Sequence, residues 1–161
     1  PGVDLGPLIS EDHRRKVHRQ VTEAVLHGAR LVRGGETPDG PGFFYRPGIL
    51  ADIPKEAPVY SEEVFGPVAN LFVHDDFDDA LARVNDSRFG LQAGVFTHDV
   101  RKLNRALATL EVGGVIHDDS PAYRVDHMPY GGVKDSGLGR EGLRWAIEDM
   151  TEIRLLLIRG R

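Results

Sequence analysis

The fold prediction starts from SEEVFGPV, residues 61–68, and from the apolar run Val68–Val73 that begins at its last residue. An acidic pair and an aromatic ring precede a Gly-Pro turn, and the run after the turn predicts a buried strand. Helix and strand patterns then alternate, with a helix from 75, a strand at 91–97, a helix at 99–110 and a strand at 115–116. This alternation is typical of an α/β fold with a parallel sheet.

The loop after the last of these strands, Asp118–Gly139, is expected to hold a binding site, because ligands of open α/β sheets bind beyond the carboxyl ends of strands. It is richer in Gly, Asp, Tyr and His than a connector needs.

Ser10 is a good cap for an upstream helix. Other expected features are a strand at 29–32, an extended segment at 43–50, inward-facing Leu103, Leu107 and Leu110, a helix over about 140–150, and a last strand at 152–158.

Composition bounds the function. The chain has 161 residues, enough for one domain or one domain with a short appendage. Its net charge of −5 argues against nucleic-acid binding, and no apolar run reaches the length of a membrane span. No secretory signal pattern is present, so a cytoplasmic location is expected. The chain contains no cysteine, which excludes disulfides, thiolate metal sites and a cysteine nucleophile within it.

The segment 137–142, GLGREG, fits the dinucleotide fingerprint G-x-G-x-x-G. The fingerprint requires a preceding strand and an acidic residue about twenty positions later, and this segment has neither. Its glycines are better explained by a tight turn into the last helix. The histidines and the acidic cluster at 75–79 predict no metal site, because Asp is favoured at helix starts and turns.

The acidic pair at 62–63 is harder to assign to a structural role. Adjacent residues of an extended segment point to opposite sides, so Glu63 and Phe65 share a side that Glu62 does not. A carboxylate beside an aromatic edge can hold a sugar ring that carries two hydroxyls. An ordinary loop entering a strand accounts for the segment equally well.

Several motifs in the right order resemble those of the NAD(P)-dependent aldehyde dehydrogenases. The resemblance covers essentially the whole chain, and the loop 119–130 resembles a branch that includes lactaldehyde-type and phosphonoacetaldehyde-type dehydrogenases. It is carried by Leu5–Ser10 (LGPLIS), Gly28–Gly35 (GARLVRGG), Glu62–Pro67 (EEVFGP), Asn85–Leu91 (NDSRFGL), Pro129–Gly137 (PYGGVKDSG) and Gly139–Gly142 (GREG).

The resemblance implies a fold and partners. Residues 1–150 are expected to form part of the catalytic domain, with an open, mostly parallel three-layer sheet, and 151–161 a terminal oligomerisation strand. NAD or NADP is the implied cofactor, a small-molecule aldehyde the substrate, and a homo-oligomer through the C-terminal strand the expected assembly. No nucleic-acid or membrane partner is expected.

The resemblance also implies roles for residues. Glu63 matches the glutamate that holds the hydroxyls of the nicotinamide ribose, and Phe65 the aromatic beside that ribose. Asp118 stands where the family commonly has an asparagine near the substrate, and Tyr130 where a phenylalanine lines the aldehyde tunnel. We expect Arg124 or His127 to favour small, polar or anionic aldehydes; alternatively, Arg124 pairs with Asp126 or another acidic neighbour.

In the family, a cysteine thiolate attacks the aldehyde, hydride passes to the nicotinamide, and a glutamate base activates the water that hydrolyses the thioester. By resemblance, the cysteine and the base lie upstream of the G-P-L-I segment, so no catalytic residue is assigned in this chain. The chain opens like a mid-protein loop, and we expect a fragment that does not oxidise aldehydes alone. The alternative is a non-enzymatic truncated module that associates with itself or with intact relatives.

Overall fold

A computed structural model describes residues 4–160, which belong to two compact units, Pro1–Val73 and His74–Arg161. The first unit contains α1 (Glu11–Leu26), β1 (Arg30–Arg33), β2 (Gly48–Ala51), α2 (Pro58–Ser61) and β3 (Val68–Leu71). The second contains α3 (Phe77–Asn85), β4 (Phe89–Gly90), β5 (Gln92–Val95), α4 (Val100–Thr109), β6 (Gly114–His117), β7 (Val133–Lys134) and α5 (Leu143–Met150).

The first unit packs α1 and α2 against a three-stranded sheet of order β1-β2-β3. β1 and β2 are antiparallel, whereas β2 and β3 are parallel, with Gly48 opposite Val68. The Ser10 side chain caps α1 by accepting a hydrogen bond from the His13 amide at 3.2 Å, as the sequence predicts. The buried core is formed by Val21, Ala24, Ala29, Leu50, Ile53, Ala57 and Val59.

Tyr45 is buried in the loop before β2. Its side chain is only 6% exposed, and its hydroxyl donates a hydrogen bond to the Gly35 carbonyl at 2.7 Å. The ring also makes an edge contact with His18, with 6.0 Å between ring centroids. The buried hydroxyl therefore fixes the irregular segment between β1 and β2.

The second unit contains two small sheets. β5 and β6 are parallel, with Val95 opposite His117, and β4 pairs with β7 in the antiparallel direction. Asp76 and Asp99 cap α3 and α4 through their carboxylates. The buried core consists of Leu81, Val95, Ala106 and Leu110.

Asn85, the last residue of α3, joins two helix ends. Its side-chain amide donates to the Thr109 carbonyl at 2.8 Å, and its Oδ1 accepts from the Glu111 amide at 2.8 Å. The Lys134 ammonium donates to the carbonyls of Asn85 (2.9 Å) and Ser87 (3.0 Å) and pairs with the Glu111 carboxylate at 2.7 Å. Two motifs that carried the family resemblance are thus joined in one hydrogen-bonded cluster around Asn85 and Lys134.

Three expectations from the sequence are wrong. β3 forms but is not buried, because it is the outermost strand of its sheet and Leu71 is 52% exposed. Leu107 is 65% exposed rather than inward, and Ala106 is buried instead. The last strand at 152–158 does not form: residues 151–160 have no secondary structure and are exposed. A strand needs a partner ladder, and the described part of the chain supplies none for this segment.

The α/β class is confirmed by mixed helices and sheets with two parallel strand pairs. The three-layer, mostly parallel sheet remains a prediction, and so does the pairing of residues 151–161 with a neighbouring subunit. The glycines of segment 137–142 act as turn residues, because Gly137, Gly139 and Gly142 all have positive φ.

Candidate functional site

The sequence-predicted cofactor residues line one groove in the first unit. A groove of about 600 Å³ is formed by the 63–67 loop, His13 and the segment 5–9. Glu63 and Phe65 both line it, and so do Val64, Gly66 and Pro67, whereas Glu62 is not among the lining residues of the described chain. The Phe65 side chain is 69% exposed, so its ring is available for packing. Two family-like motifs, EEVFGP and LGPLIS, therefore share a surface.

Helix α1 packs against the 63–67 loop and holds it by side-chain contacts. The His13 Nε2–H donates to the Phe65 carbonyl at 2.5 Å, and the Gln20 amide donates to the Glu63 carbonyl at a long 3.5 Å. Gly66 lies against Val17, where a Cβ would be only 2.8 Å from Val17 Cγ2. Positions 13, 17 and 20 lie on one face of the helix. This face of α1 therefore contacts three residues of the loop, one with each side chain.

Gln20 is a buried polar residue of α1. It is 4% exposed, and its Oε1 has no hydrogen-bond partner within the described residues. Rotating the amide by half a turn would bring this oxygen to the Glu63 carbonyl instead of the N–H. The observed orientation is therefore the one that supports the loop.

The groove presents groups that are able to hold a sugar ring. The backbone carbonyls of Glu63 and Phe65 accept hydrogen bonds from α1, and both residues line the groove. A carboxylate accepts hydrogen bonds from two neighbouring hydroxyls, and an exposed aromatic ring packs against a sugar face. Both groups belong to one short loop that lines the groove.

In the second unit, Asp118 lies at the carboxyl end of β6. It has a left-handed backbone, with φ of 51°, and its Oδ1 accepts from the Thr97 amide at 3.0 Å. The neighbouring His117 Nε2–H donates to the Thr97 carbonyl at 2.8 Å and lies 3.4 Å from Asp118 Oδ2. The Asp118 carboxylate thus joins the ends of β5 and β6.

Arg124 and Tyr130 form a stack in the loop after β6. The Arg124 guanidinium carbon lies 4.3 Å from the centroid of the Tyr130 ring, and its Nη2 donates to Glu141 Oε2 at 2.8 Å. Its acidic partner is Glu141, so Arg124 pairs with an acidic neighbour, as the alternative from the sequence has it, and the neighbour is not Asp126. His127 is exposed in the same loop.

Strand β5 supports this loop. The Gln92 side chain donates to the carbonyls of Pro121 at 2.6 Å and Tyr123 at 3.3 Å. Gly94 lets the backbone approach closely, because a Cβ there would lie 2.6 Å from the Asp119 carbonyl oxygen. The loop is thereby fixed at both ends of its first turn.

Sequence reasoning missed His13, Gln20 and Glu141. The spacing 13, 17, 20 marks one helix face but does not tell which loop that face contacts. Glu141 stands out in the sequence only as part of the GREG motif. Between residues 4 and 160, no three His, Cys, Asp or Glu side chains are grouped to hold a metal ion, and no helix could cross a membrane.

Comparison with known proteins decides the family. A model of the aldehyde dehydrogenase family matches residues 1–156. The chain belongs to the aldehyde dehydrogenase family. This confirms the resemblance found in the motifs, and the family consists of oxidoreductases.

Three relatives within the family are informative. A 3-sulfolactaldehyde dehydrogenase of Priestia aryabhattai is 46% identical over 156 residues, 97% of this chain and 32% of that protein. The succinate-semialdehyde dehydrogenase [NADP(+)] GabD of Escherichia coli K12 is 41% identical over 157 residues, 98% of this chain and 32% of that protein. A lactaldehyde dehydrogenase of Methanococcus vannielii is 38% identical over 156 residues, 97% of this chain and 33% of that protein.

A solved family member has the same fold. Aldehyde dehydrogenase 21 from Physcomitrella patens, in complex with the reaction product succinate, superposes with a TM-score of 0.91 at 45% identity. The match covers 98% of this chain and 32% of that chain. The chain spans about a third of the length of the curated relatives it matches.

Proposed function

We propose that this chain supplies the cofactor-ribose clamp and part of the aldehyde site of an NAD(P)-dependent aldehyde dehydrogenase. The enzyme would oxidise an aldehyde to a carboxylic acid through a cysteine thioester. The observation that carries the proposal is the shared groove of Glu63 and Phe65 in a chain that belongs to this family. The oxidised nicotinamide, when bound, accepts the hydride.

In this proposal, the residues of this chain bind the ribose of the dinucleotide and orient it. The Glu63 carboxylate would accept hydrogen bonds from the two ribose hydroxyls, and the Phe65 ring would pack against the same ribose. The contacts from α1 hold the loop backbone, so the segment that carries the two side chains is in place before the ligand arrives. Ordering in advance lowers the entropy cost of binding.

We extend the proposal to the substrate. Two relatives are named for aldehydes that carry an anionic group, sulfolactaldehyde and succinate semialdehyde. Arg124 is an exposed cation stacked on Tyr130, which by resemblance lines the aldehyde tunnel. Small, polar or anionic aldehydes are therefore the proposed substrates, with Asp118 and His127 as further residues near the substrate.

The first experiment separates this function from a non-enzymatic module. The purified chain contains no cysteine, and we expect it to show no aldehyde-dependent reduction of NAD or NADP with lactaldehyde, glyceraldehyde or succinate semialdehyde. A hybrid enzyme, in which the chain replaces the matching segment of the Priestia 3-sulfolactaldehyde dehydrogenase, should turn over. Robust turnover by the chain alone, or a folded but inactive hybrid, would contradict the proposal.

The substrate class is tested in the same hybrid. Arg124→Ala should lower kcat/KM for an anionic aldehyde by about tenfold while a neutral aldehyde of similar size is little affected. Arg88→Ala is a matched control, because Arg88 also stacks on a ring, at 4.8 Å from Phe89, and pairs with Asp135 at 3.3 Å. An equal loss for both aldehydes would rule out the anion-binding role of Arg124.

A further inference from the structure

The loop between β1 and β2 has at its tip the only Asp-Gly pair of the sequence, Asp39-Gly40. Both residues are exposed, and Gly40 has a positive φ of 116°. A Cβ built at Gly40 would meet no other atom within 4 Å. Within residues 4–160, no hydrogen bond or ion pair involves residues 37–41. The Asp39 carboxylate and the Gly40 amide therefore have no partner in the described part of the chain.

The two ends of this tip are tied to the rest of the first unit. The Arg46 amide donates a hydrogen bond to the Glu36 carbonyl at 2.9 Å, and Arg14 Nη1 donates to the Gly42 carbonyl at 3.0 Å. Residues 38–42 also line a cavity of about 560 Å³. The tip therefore has room to change its conformation while its ends stay in place.

An aspartate that is followed by glycine has a specific reactivity. The backbone nitrogen of Gly40 attacks the side-chain carbon Cγ of Asp39, a C–N bond forms, and the amide proton leaves with the carboxyl OH as water. Water then opens the resulting five-membered cyclic imide at either of its two carbonyls. Opening at the side-chain carbonyl restores aspartate, whereas opening at the main-chain carbonyl gives isoaspartate, in which the backbone runs through Cβ. Glycine favours the attack because it has no Cβ and adopts conformations that other residues rarely do.

The fold protects a comparable pair, Asp135-Ser136, in the second unit. The Ser136 amide donates to the Val133 carbonyl at 3.1 Å, and the Asp135 carboxylate pairs with Arg88 at 3.3 Å. Attack by the Ser136 nitrogen would break both contacts. Attack by the Gly40 nitrogen breaks no contact with the described residues, so folding should not slow it.

We propose that Asp39-Gly40 is a site of spontaneous covalent modification, at which the folded chain converts aspartate to isoaspartate as fast as the unfolded chain does. The reaction needs only water. It adds one methylene group to the backbone at the tip and keeps one free carboxylate, so the product can accumulate in the folded chain. This modification does not depend on the proposed function.

The test is incubation of the purified chain in water enriched in oxygen-18, at mildly acidic pH, with and without urea. Each opening of the imide introduces one solvent oxygen, so mass spectrometry of the peptides counts the reaction even when aspartate re-forms. Isoaspartate is identified by resistance to a protease that cleaves before aspartate. Asp39 should be labelled at equal rates in both conditions, whereas Asp135 should be labelled mainly in urea. Slower labelling of Asp39 in the folded chain than in urea would overturn the proposal.

Two substitutions at the exposed tip identify the reacting group. Asp39→Asn forms the same imide by loss of ammonia, which leaves more readily than water at neutral pH, and it should give isoaspartate sooner. Asp39→Glu keeps the charge but needs a larger ring, and it should abolish isoaspartate at this position. Asp135→Glu is the matched control and should leave the labelling of Asp39 unchanged. No isoaspartate from a folded Asp39→Asn variant, or an unchanged isoaspartate yield in Asp39→Glu, would contradict the assignment.

Discussion

The α-carbon of Gly66 lies so close to Val17 that a Cβ at residue 66 would be 2.8 Å from Val17 Cγ2 and 3.0 Å from Cγ1. Val17 is fully buried and branched at Cβ, so its side chain has little freedom to move aside. This contact fixes the depth at which the 63–67 loop sits on α1. The Gly-Pro turn of the opening motif is thus a packing requirement as well as a turn.

Gly66→Ala should destabilise the chain by about 1–3 kcal/mol, because the added methyl group overpacks the Val17 contact. Urea unfolding followed by circular dichroism measures the change. In a Val17→Ala background, the same substitution should be close to neutral, and the coupling between the two sites measures the contact. Gly6→Ala is the control, since a Cβ there has no neighbour within 4 Å. Equal losses in both backgrounds would show that Val17 is not the obstacle.

Glu63→Gln in the hybrid enzyme should raise the KM for the dinucleotide by about fivefold to tenfold, because a neutral amide accepts weaker hydrogen bonds from the ribose hydroxyls than a carboxylate does. Steady-state kinetics at saturating aldehyde measures the change. Glu62→Gln is the matched control, since it removes the same charge from the adjacent residue outside the groove. Similar effects of both substitutions would point to net charge instead of a ribose contact.

Tyr45→Phe should reduce the free energy of unfolding by about 1 kcal/mol at neutral pH, because the Gly35 carbonyl loses its donor. Tyr123→Phe serves as the control, because Tyr123 is 46% exposed. Urea unfolding at neutral pH measures both variants. A loss of the same size in Tyr123→Phe would argue against the buried hydrogen bond.

The same residue predicts a pH dependence. Burial, with a smaller effect of Glu36, raises the pKa of Tyr45 from its usual 10.0 to about 12. The unfolded chain therefore loses this proton first, so the stabilisation is complete below the usual pKa and declines as pH rises from about 10 to about 12. Urea unfolding across this range should show a smaller decline in Tyr45→Phe than in the unaltered chain. Identical slopes would contradict the raised pKa.

Asn85→Ala should cost about 1–3 kcal/mol, because it removes the donor to the Thr109 carbonyl and the acceptor for the Glu111 amide. Asn85→Asp keeps the acceptor but places a carboxylate against the Thr109 carbonyl, and we expect at least the same loss at neutral pH. Thermal unfolding measures both, with Asn104→Ala, on the exposed side of α4, as the control. A stable Asn85→Asp variant would show that the bond to Thr109 contributes little.

Local signals carried most of the fold prediction. Ser10 identified the start of α1, and the acidic run at 75–79 identified the start of α3, where Asp76 supplies the cap. Glu63 and Phe65 lie two positions apart, and this spacing alone predicts that both face the same side of an extended segment. In each case the interaction lies within a few residues of sequence.

Burial was predicted less well, because it depends on what covers an element. The apolar pattern of Val68–Val73 predicts a strand but does not reveal that it is the outermost strand of its sheet. On α4, the periodicity identified the correct face at Leu110 but not at Leu107. The contact of His13 with Phe65 joins positions 52 residues apart, and no local pattern encodes such a pair.

The hydrogen-bonded cluster around Asn85 and Lys134 has a consequence for how the ends of α3 and α4 open. One side-chain amide and one ammonium group hold the ends of α3 and α4, so neither helix end can fray without breaking contacts that hold the other. The last turns of the two helices should therefore open in a single event, and their amide hydrogens should exchange with solvent at one shared rate. A sequence motif noted for its resemblance to a family thus makes two separate helices behave as one cooperative segment.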